Sequence, residues 1–192
     1  MDAVNVGAYH LAENPYLYEP QRSNNFELHV PGLANILRPG MLAADTDATI
    51  PNADEIFKFA VVSTNIPHFS QQPIHVQRGN TEFKAAGRIV FGENQVVVNS
   101  LIGVNSKEIL MAWQRLSGDP EKETVGLMSE YKKDAYLIEY DPSYNKVRQW
   151  IVKGCWVSAI SETGYNNENN EKMVLTATIQ YDKAYIDQSG NA

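Results

Sequence analysis

Several short runs of this chain alternate apolar and polar residues with a period of two, and one stretch, Ile109 to Leu116, reads as a stripe at helical spacing. That pattern predicts short strands with a single helix packed on them. Phe26, Leu28 and Val30 alternate with Glu27 and His29, as in a half-buried first strand. Ile56 to Val62 is rich in β-branched and aromatic residues and reads as another strand, with Pro67 and Pro73 bounding the loop that follows. Ile74 to Arg78 and Thr81 to Ala85 flank Gly79-Asn80, a dipeptide that supplies the positive φ of a tight hairpin turn. Gln95 to Ile102, Ala135 to Tyr140, Val147 to Val152, Cys155 to Ile160 and Met173 to Tyr181 also read as strands. Asp141-Pro142-Ser143 is a turn, and the Asn-rich TGYNNENNEK is a polar loop.

The helix starts where Asn105 and Glu108 have the spacing of an N-cap and its reciprocal partner. Ile109, Leu110, Trp113 and Leu116 fall on one stripe, and Lys107, Glu108, Gln114 and Arg115 lie opposite. Gly118 and Pro120 then stop it. The four stripe residues, with Trp156 on a strand, are the expected core packing. The sum is a mainly β chain, an antiparallel β-sandwich or small barrel with one packed α-helix, without internal repeats or a second domain.

Two segments do not fit a core. Residues 1–24 carry Pro15, Pro20 and tyrosines at 9, 16 and 18, which suits an extended N-terminal arm. Residues 25–192 form the domain, within which 31–55 hold Pro31, Gly32, Pro39, Gly40 and Pro51, a long excursion. With 192 residues, 43% of them hydrophobic, the domain is large enough to bury a core. The formal charge of −7 is the wrong sign for an electrostatic grip on nucleic acid. No apolar run reaches the roughly 18 residues that cross a bilayer, and the N-terminal stretch lacks a basic start and an apolar h-region. A soluble chain without membrane contact or a signal peptide is the expectation.

Fingerprints of chemistry are missing: there is no G-x-S-x-G, H-E-x-x-H, C-x-x-C, Walker or dinucleotide motif. His68 and His75 lack a third metal ligand at a suitable spacing and read as loop histidines. Asp45, Asp47 and Asn52 lack the glycine and terminal glutamate of a calcium hand. Glu121 and Glu123 sit in a charged loop, where no cleft would separate their acidities. Cys155 reads as a small buried hydrophobe. Trp113, Trp150 and Trp156 fit core positions better than a sugar-stacking platform. No cofactor, no metal and no catalytic residues are expected, and the chain reads as a non-enzyme.

Several strings in order carry a resemblance: SNNFELHV, IHVQRGNTEFKAAGRIVF, KEILMAWQRL, SEYKKDAYLIEYD, IVKGCWVSAI and MVLTATIQYDKAYI. From Asn25 to Ile186 the chain resembles the tail tube protein of contractile-tailed, T4-like bacteriophages, a superfamily shared with the haemolysin-coregulated tube protein of type VI secretion. The Tyr131-Lys132-Lys133-Asp134-Ala135 segment and the Gly154-x-Trp156 step are most alike; Val157 stands where the family often has proline, and 31–55 is longer than usual.

The resemblance implies a homohexameric ring, stacked into a tube inside a contractile sheath in the virion after assembly in the host cytoplasm. It implies contacts with the tail sheath protein, the tape-measure protein, the baseplate tube initiator and the tail terminator, with DNA passing transiently and without specific binding. Strand alternation then assigns Glu82, Gln95 and Asn99 to the lumen, with Val96 and Val98 toward the core. Tyr9, Tyr16, Tyr18, Arg78, Gly79 and Asn80 are expected inter-subunit contacts, the arm and the excursion being straps between rings. Two other readings stand beside it: the tube of a bacterial injection system, and a carbohydrate-binding β-sandwich that uses Trp150 or Trp156.

Overall fold

Alternation builds the sheets as the pattern predicts, and the helices fall partly elsewhere. A computed structural model describes residues 20–34, 52–102, 106–162 and 171–187. Along the chain run strand β1 (Phe26–His29), helix α1 (Ala53–Ala60) and strands β2 (Val61–Thr64) and β3 (Phe69–Gln71). The hairpin β4 (Ile74–Arg78) and β5 (Thr81–Ala85) precedes β6 (Ile89–Phe91) and β7 (Glu93–Asn99). Helix α2 (Ser106–Ser117) leads through the short pair β8 (Gly118–Asp119) and β9 (Thr124–Val125) to α3 (Met128–Tyr131). Strands β10 (Lys133–Tyr140), β11 (Lys146–Glu162), β12 (Val174–Gln180) and β13 (Lys183–Ile186) complete the described fold.

One seven-stranded antiparallel sheet runs β1-β10-β11-β12-β7-β2, with β13 also paired to β11. Its pivot is β11. The first half of that strand pairs with β10 and β13, and the second half pairs with β12. Two layers therefore share one strand: β1-β10-β11-β13 and β11-β12-β7-β2. Both feed a single core that contains Leu28, Leu137 and Val152 from the first and Val96, Val98, Leu175 and Ala177 from the second. The architecture is mainly β and antiparallel, as expected, but among the described residues the end strands β1 and β2 do not pair and no barrel closes.

Sequence reading took β11 as two strands, Val147 to Val152 and Cys155 to Ile160; it is one. The apparent break at Lys153-Gly154 is a bulge that shifts the register with β10, from Ala135 opposite Val152 to Lys133 opposite Cys155. Gly154 adopts φ +66°, and a Cβ there would collide with the Asp182 carboxylate. Charges brace the bend on both sides. Asp134 accepts from the Gly154 amide at 3.3 Å and the Lys153 ammonium at 2.6 Å, while Lys132 donates to Asp182 at 2.7 Å.

A second correction concerns Ile56 to Val62. Most of it is α1, and only its end belongs to β2. Ala53, Phe57 and Ala60 are the buried residues of a stripe at i, i+4 and i+7, with Asp54 and Glu55 in the first turn and Lys58 in the last, where the helix dipole favours them. Helical spacing outweighed β propensity because that stripe meets the core. The Phe57 ring stands edge-on to Trp113, their centroids 6.5 Å apart. Asp54 also holds the chain leaving β1, accepting from the amides of Gly32 and Ala34 at 2.8 and 3.0 Å.

Helix α2 forms where expected, and Ile109, Leu110, Trp113 and Leu116 are buried. Trp113 is 1% exposed, and its indole N–H donates to the Tyr131 carbonyl at 2.8 Å. The expected cap Asn105 lies outside the described residues. Ser106 ties the helix start to β7 instead, its hydroxyl donating to the Asn99 carbonyl at 2.7 Å and accepting from the Leu101 amide at 3.1 Å. The turn after β10 is closed by Asp141, whose carboxylate accepts from the Ser143 and Asn145 amides at 2.8 Å each.

Candidate assembly surfaces

The hairpin forms at the register the dipeptide predicts, with Arg78 opposite Thr81 and Gly79 at φ +64°. Directly opposed residues share a face, so Ile74, Val76, Phe83 and Ala85 form one side and His75, Gln77, Glu82 and Lys84 the other. The hairpin is thus amphipathic, yet its apolar side is uncovered: Ile74 is 54% and Phe83 51% exposed. On the polar side His75 Nδ1 pairs with Glu82 Oε1. A second ribbon, β3–β6, likewise exposes Phe69, Ile89 and Val90. Phe69 and Tyr185 line an aromatic groove with Phe91 and Trp150. Isolated two-stranded ribbons are marginal in water, and large apolar groups left on them mark contact surfaces.

The outer faces of the two layers differ in chemistry. On β11-β12-β7-β2, register places Gln95, Thr178 and Ala159 in one row and Val97, Thr176, Ser161 and Ser63 in the next. Asn99 lies opposite Val174, and Glu93 opposite Gln180, whose amide donates to the Glu93 carboxylate at 3.0 Å. No Lys or Arg is on these rows. On β1-β10-β11-β13 the corresponding row is His29, Tyr136, Ile151 and Tyr185. That row is half-buried at His29, Tyr136 and Ile151 and exposed at Tyr185.

A cleft of about 620 Å³ opens between the end strands, with Phe26 of β1 on one side and Val62 to Thr64 of β2 on the other. Glu139 sits in it at 7% exposure and is well satisfied, accepting from Trp150 Nε1 at 2.9 Å, Gln21 Nε2 at 3.0 Å and Arg148 Nη1 at 3.3 Å. Titratable groups elsewhere serve structure. Burial pushes the Cys155 thiol up to about 12, and its Sγ donates to the Lys133 carbonyl at 2.8 Å. Burial also raises Tyr140 and Tyr181 above the usual phenol value. Tyr181 accepts from the His68 amide and donates to its carbonyl. The Glu27 carboxylate, 2.8 Å from Lys58 Nζ, raises that ammonium.

The sequence-derived residues distribute as follows. Val96 and Val98 point inward, while Gln95 and Asn99 share the opposite face of β7. Glu82 does not join them: it stands on the hairpin, paired with His75. Trp156 is a correction to the expected core set. Cys155 and Val157 take the inward positions, so Trp156 lies half-buried opposite Gln180, edge-on to Tyr131 at 5.7 Å. The three tryptophans share no platform, since Trp113 is in the core and Trp150 lies opposite Leu137 in the other layer.

His68 lies just before β3 and His75 on β4, and among the described residues no three His, Cys, Asp or Glu side chains are grouped to hold a metal ion. Asn52 precedes α1 in the left-handed region, whereas Asp45 and Asp47 lie outside the described residues, as do Tyr9, Tyr16 and Tyr18. Sequence reasoning missed β13 and the cleft.

These features define a β-sandwich with exposed apolar ribbons and, among the described residues, end strands that pair on one side alone. Solved structures carry the same fold. A chain of the sheath–tube complex of an extracellular contractile injection system, PVC in its extended state, matches with TM-score 0.61 and 13% identity over 96% of this chain and 99% of that one. The cap that terminates the tube of the anti-feeding prophage matches with TM-score 0.58 and 14% identity over 88% and 91%. The SPP1 tail tube matches with TM-score 0.51 and 5% identity over 88% and 79%. The chain shares its fold with these solved tube and cap structures. No protein-family model and no curated protein matches it.

Proposed function

We propose that this chain is the non-enzymatic building block of a contractile tail's inner tube, closing into hexameric rings that stack within a sheath. The observation that carries this reading is the uncovered apolar side of the β4–β5 hairpin on a body whose own core is complete. A closed ring of identical copies covers such surfaces through heterologous contacts and gives the open end strands partners. Arg78, Gly79 and Asn80 at the hairpin tip would then meet a neighbouring copy.

In its phage form the tube conducts DNA and the tape-measure protein, meeting sheath, baseplate initiator and terminator along its length. It would be built in the host cytoplasm and end in the virion. The lumen wall would be the outer face of β11-β12-β7-β2, with Gln95 and Asn99 on it; Glu82 joins only where the hairpin lies along the channel. DNA carries one charge per roughly 1.7 Å, and a wall of amides, hydroxyls, small apolar groups and the Glu93 carboxylate, with no Lys or Arg on these rows, releases no counterions to hold it. Sliding rather than binding follows. The second reading is the tube of an extracellular injection system carrying protein, favoured by TM-scores of 0.61 and 0.60 to PVC assemblies against 0.51 to the SPP1 tail tube.

Negative-stain microscopy of the purified full chain tests the tube: six-fold rings or hollow tubes are expected, and monomers at every concentration would overturn it. Immunogold labelling of whole particles separates the two machines. Gold on capsid-bearing tails supports the phage form, and gold on capsid-free sheathed tubes supports the injection system.

A further inference from the structure

The cleft between β1 and β2 has the character of a strand receptor. Its walls are apolar, from Phe26, Val62, Ile66 and Leu137; of its charged lining residues Arg148 is paired with Glu139, and Arg22 adds a positive charge. Among the described residues β1 pairs only with β10 and β2 only with β7, so each presents one row of unpaired backbone groups. Such an edge accepts an added strand, held by main-chain hydrogen bonds with side chains in flanking pockets.

Residues 1–19 have the matching composition. They contain Val4, Val6, Leu11, Leu17 and three tyrosines, with Asp2, Glu13 and Glu19 and neither Lys nor Arg. Their acidity complements Arg22, the cleft's one excess positive charge among its lining residues. Pro15 and Pro20 bracket Tyr16 to Glu19, four residues facing a four-residue β2. The donor's own cleft is already lined by its residues 21–26 on their way into β1, so its arm would have to double back over them to enter. Extended, nineteen residues reach about 60 Å, enough to cross to a neighbour. We propose that residues 1–19 of a second copy lie in the β1/β2 cleft as a strand added to β2. This rests on the tube reading for the source of the second copy.

The test uses the full chain with Val62→p-benzoylphenylalanine and, separately, Ile66→p-benzoylphenylalanine, each prepared as an equal mixture of ¹⁴N and ¹⁵N protein. Each sample is inspected for rings by microscopy, then irradiated and digested with trypsin. Because the first basic residue is Arg22, the arm leaves as one peptide, Met1 to Arg22. Mixed-isotope products joining that peptide to the cleft are expected at both positions, with a yield that falls as salt rises. Ring-containing samples whose products are all single-isotope, join another segment, or fail to form overturn the arm assignment and leave the tube standing. Mixed-isotope products without rings support the arm contact and count against the tube; absence of both rings and products overturns both.

Discussion

The strand pair β12–β7 and the hairpin β4–β5 are written in the same alternating code and end in opposite situations. In the first, Leu175 and Ala177 lie opposite Val98 and Val96, and all four are buried beneath the helices. In the second, Val76 and Ile74 lie opposite Phe83 and Ala85, with Ile74 and Phe83 exposed and Val76 and Ala85 half-buried. Period two therefore specifies a two-faced ribbon and says nothing of what covers it. One ribbon is covered by its own chain, and the other leaves Ile74 and Phe83 exposed.

That contrast is open to attack. The largest effect is expected from Trp113→Ala, which empties the site between α2, Phe57 and the Tyr131 carbonyl; denaturant unfolding should show a loss of about 3–5 kcal/mol. A loss under about 1 kcal/mol would put the helix stripe on the same footing as the hairpin.

Alkaline titration gives the next effect. Cys155 keeps its proton to about 12 in the fold, against 9.0 for an ordinary thiol. Its contribution is therefore full below pH 9 and lost as pH rises toward 12, at up to roughly 1.4 kcal/mol per pH unit. Tyr140 and Tyr181, also raised, act with the same sign from pH 10 upward. Thermal melts at pH 8 to 10 should fall steeply for the natural chain and less steeply for Cys155→Ala, whatever the variant's starting stability; equal slopes would mean the thiol is not sealed.

Gly154→Ala should cost about 1–2 kcal/mol for the left-handed backbone alone, and more from the encounter with Asp182. Unchanged unfolding would show that the bend in β11 is adaptable. Smallest in stability is Phe83→Ser, expected within about 0.5 kcal/mol of the parent because the ring is half in solvent already. The same variant should lose rings under the microscope. A destabilised monomer with intact rings would erase the distinction between the two ribbons.

How much was legible follows from range. The Gly79-Asn80 hairpin, the inward set of β7 and the α2 stripe are local patterns, and local patterns are what a sequence displays. Helix α1 was misread because Ile56 to Val62 is both β-branched and the end of a helical stripe, and only the neighbouring Phe57–Trp113 contact decides between them. The break expected at Lys153-Gly154 was real as a signal, but Asp134 and Asp182 convert it into a bulge. Trp156 was legible and overlooked, since Cys155 and Val157 on either side already claimed the inward positions. The cleft was not legible: it joins β1 (Phe26–His29) to β2 (Val61–Thr64), strands distant in sequence.

Because β11 runs as one seventeen-residue strand through both layers, a pull applied to either layer travels to the other along covalent bonds. Side-chain packing need not carry that load. Peeling the layers apart would require unzipping hydrogen-bonded ladders on both halves of this spar at once, so the domain should yield all together or hold.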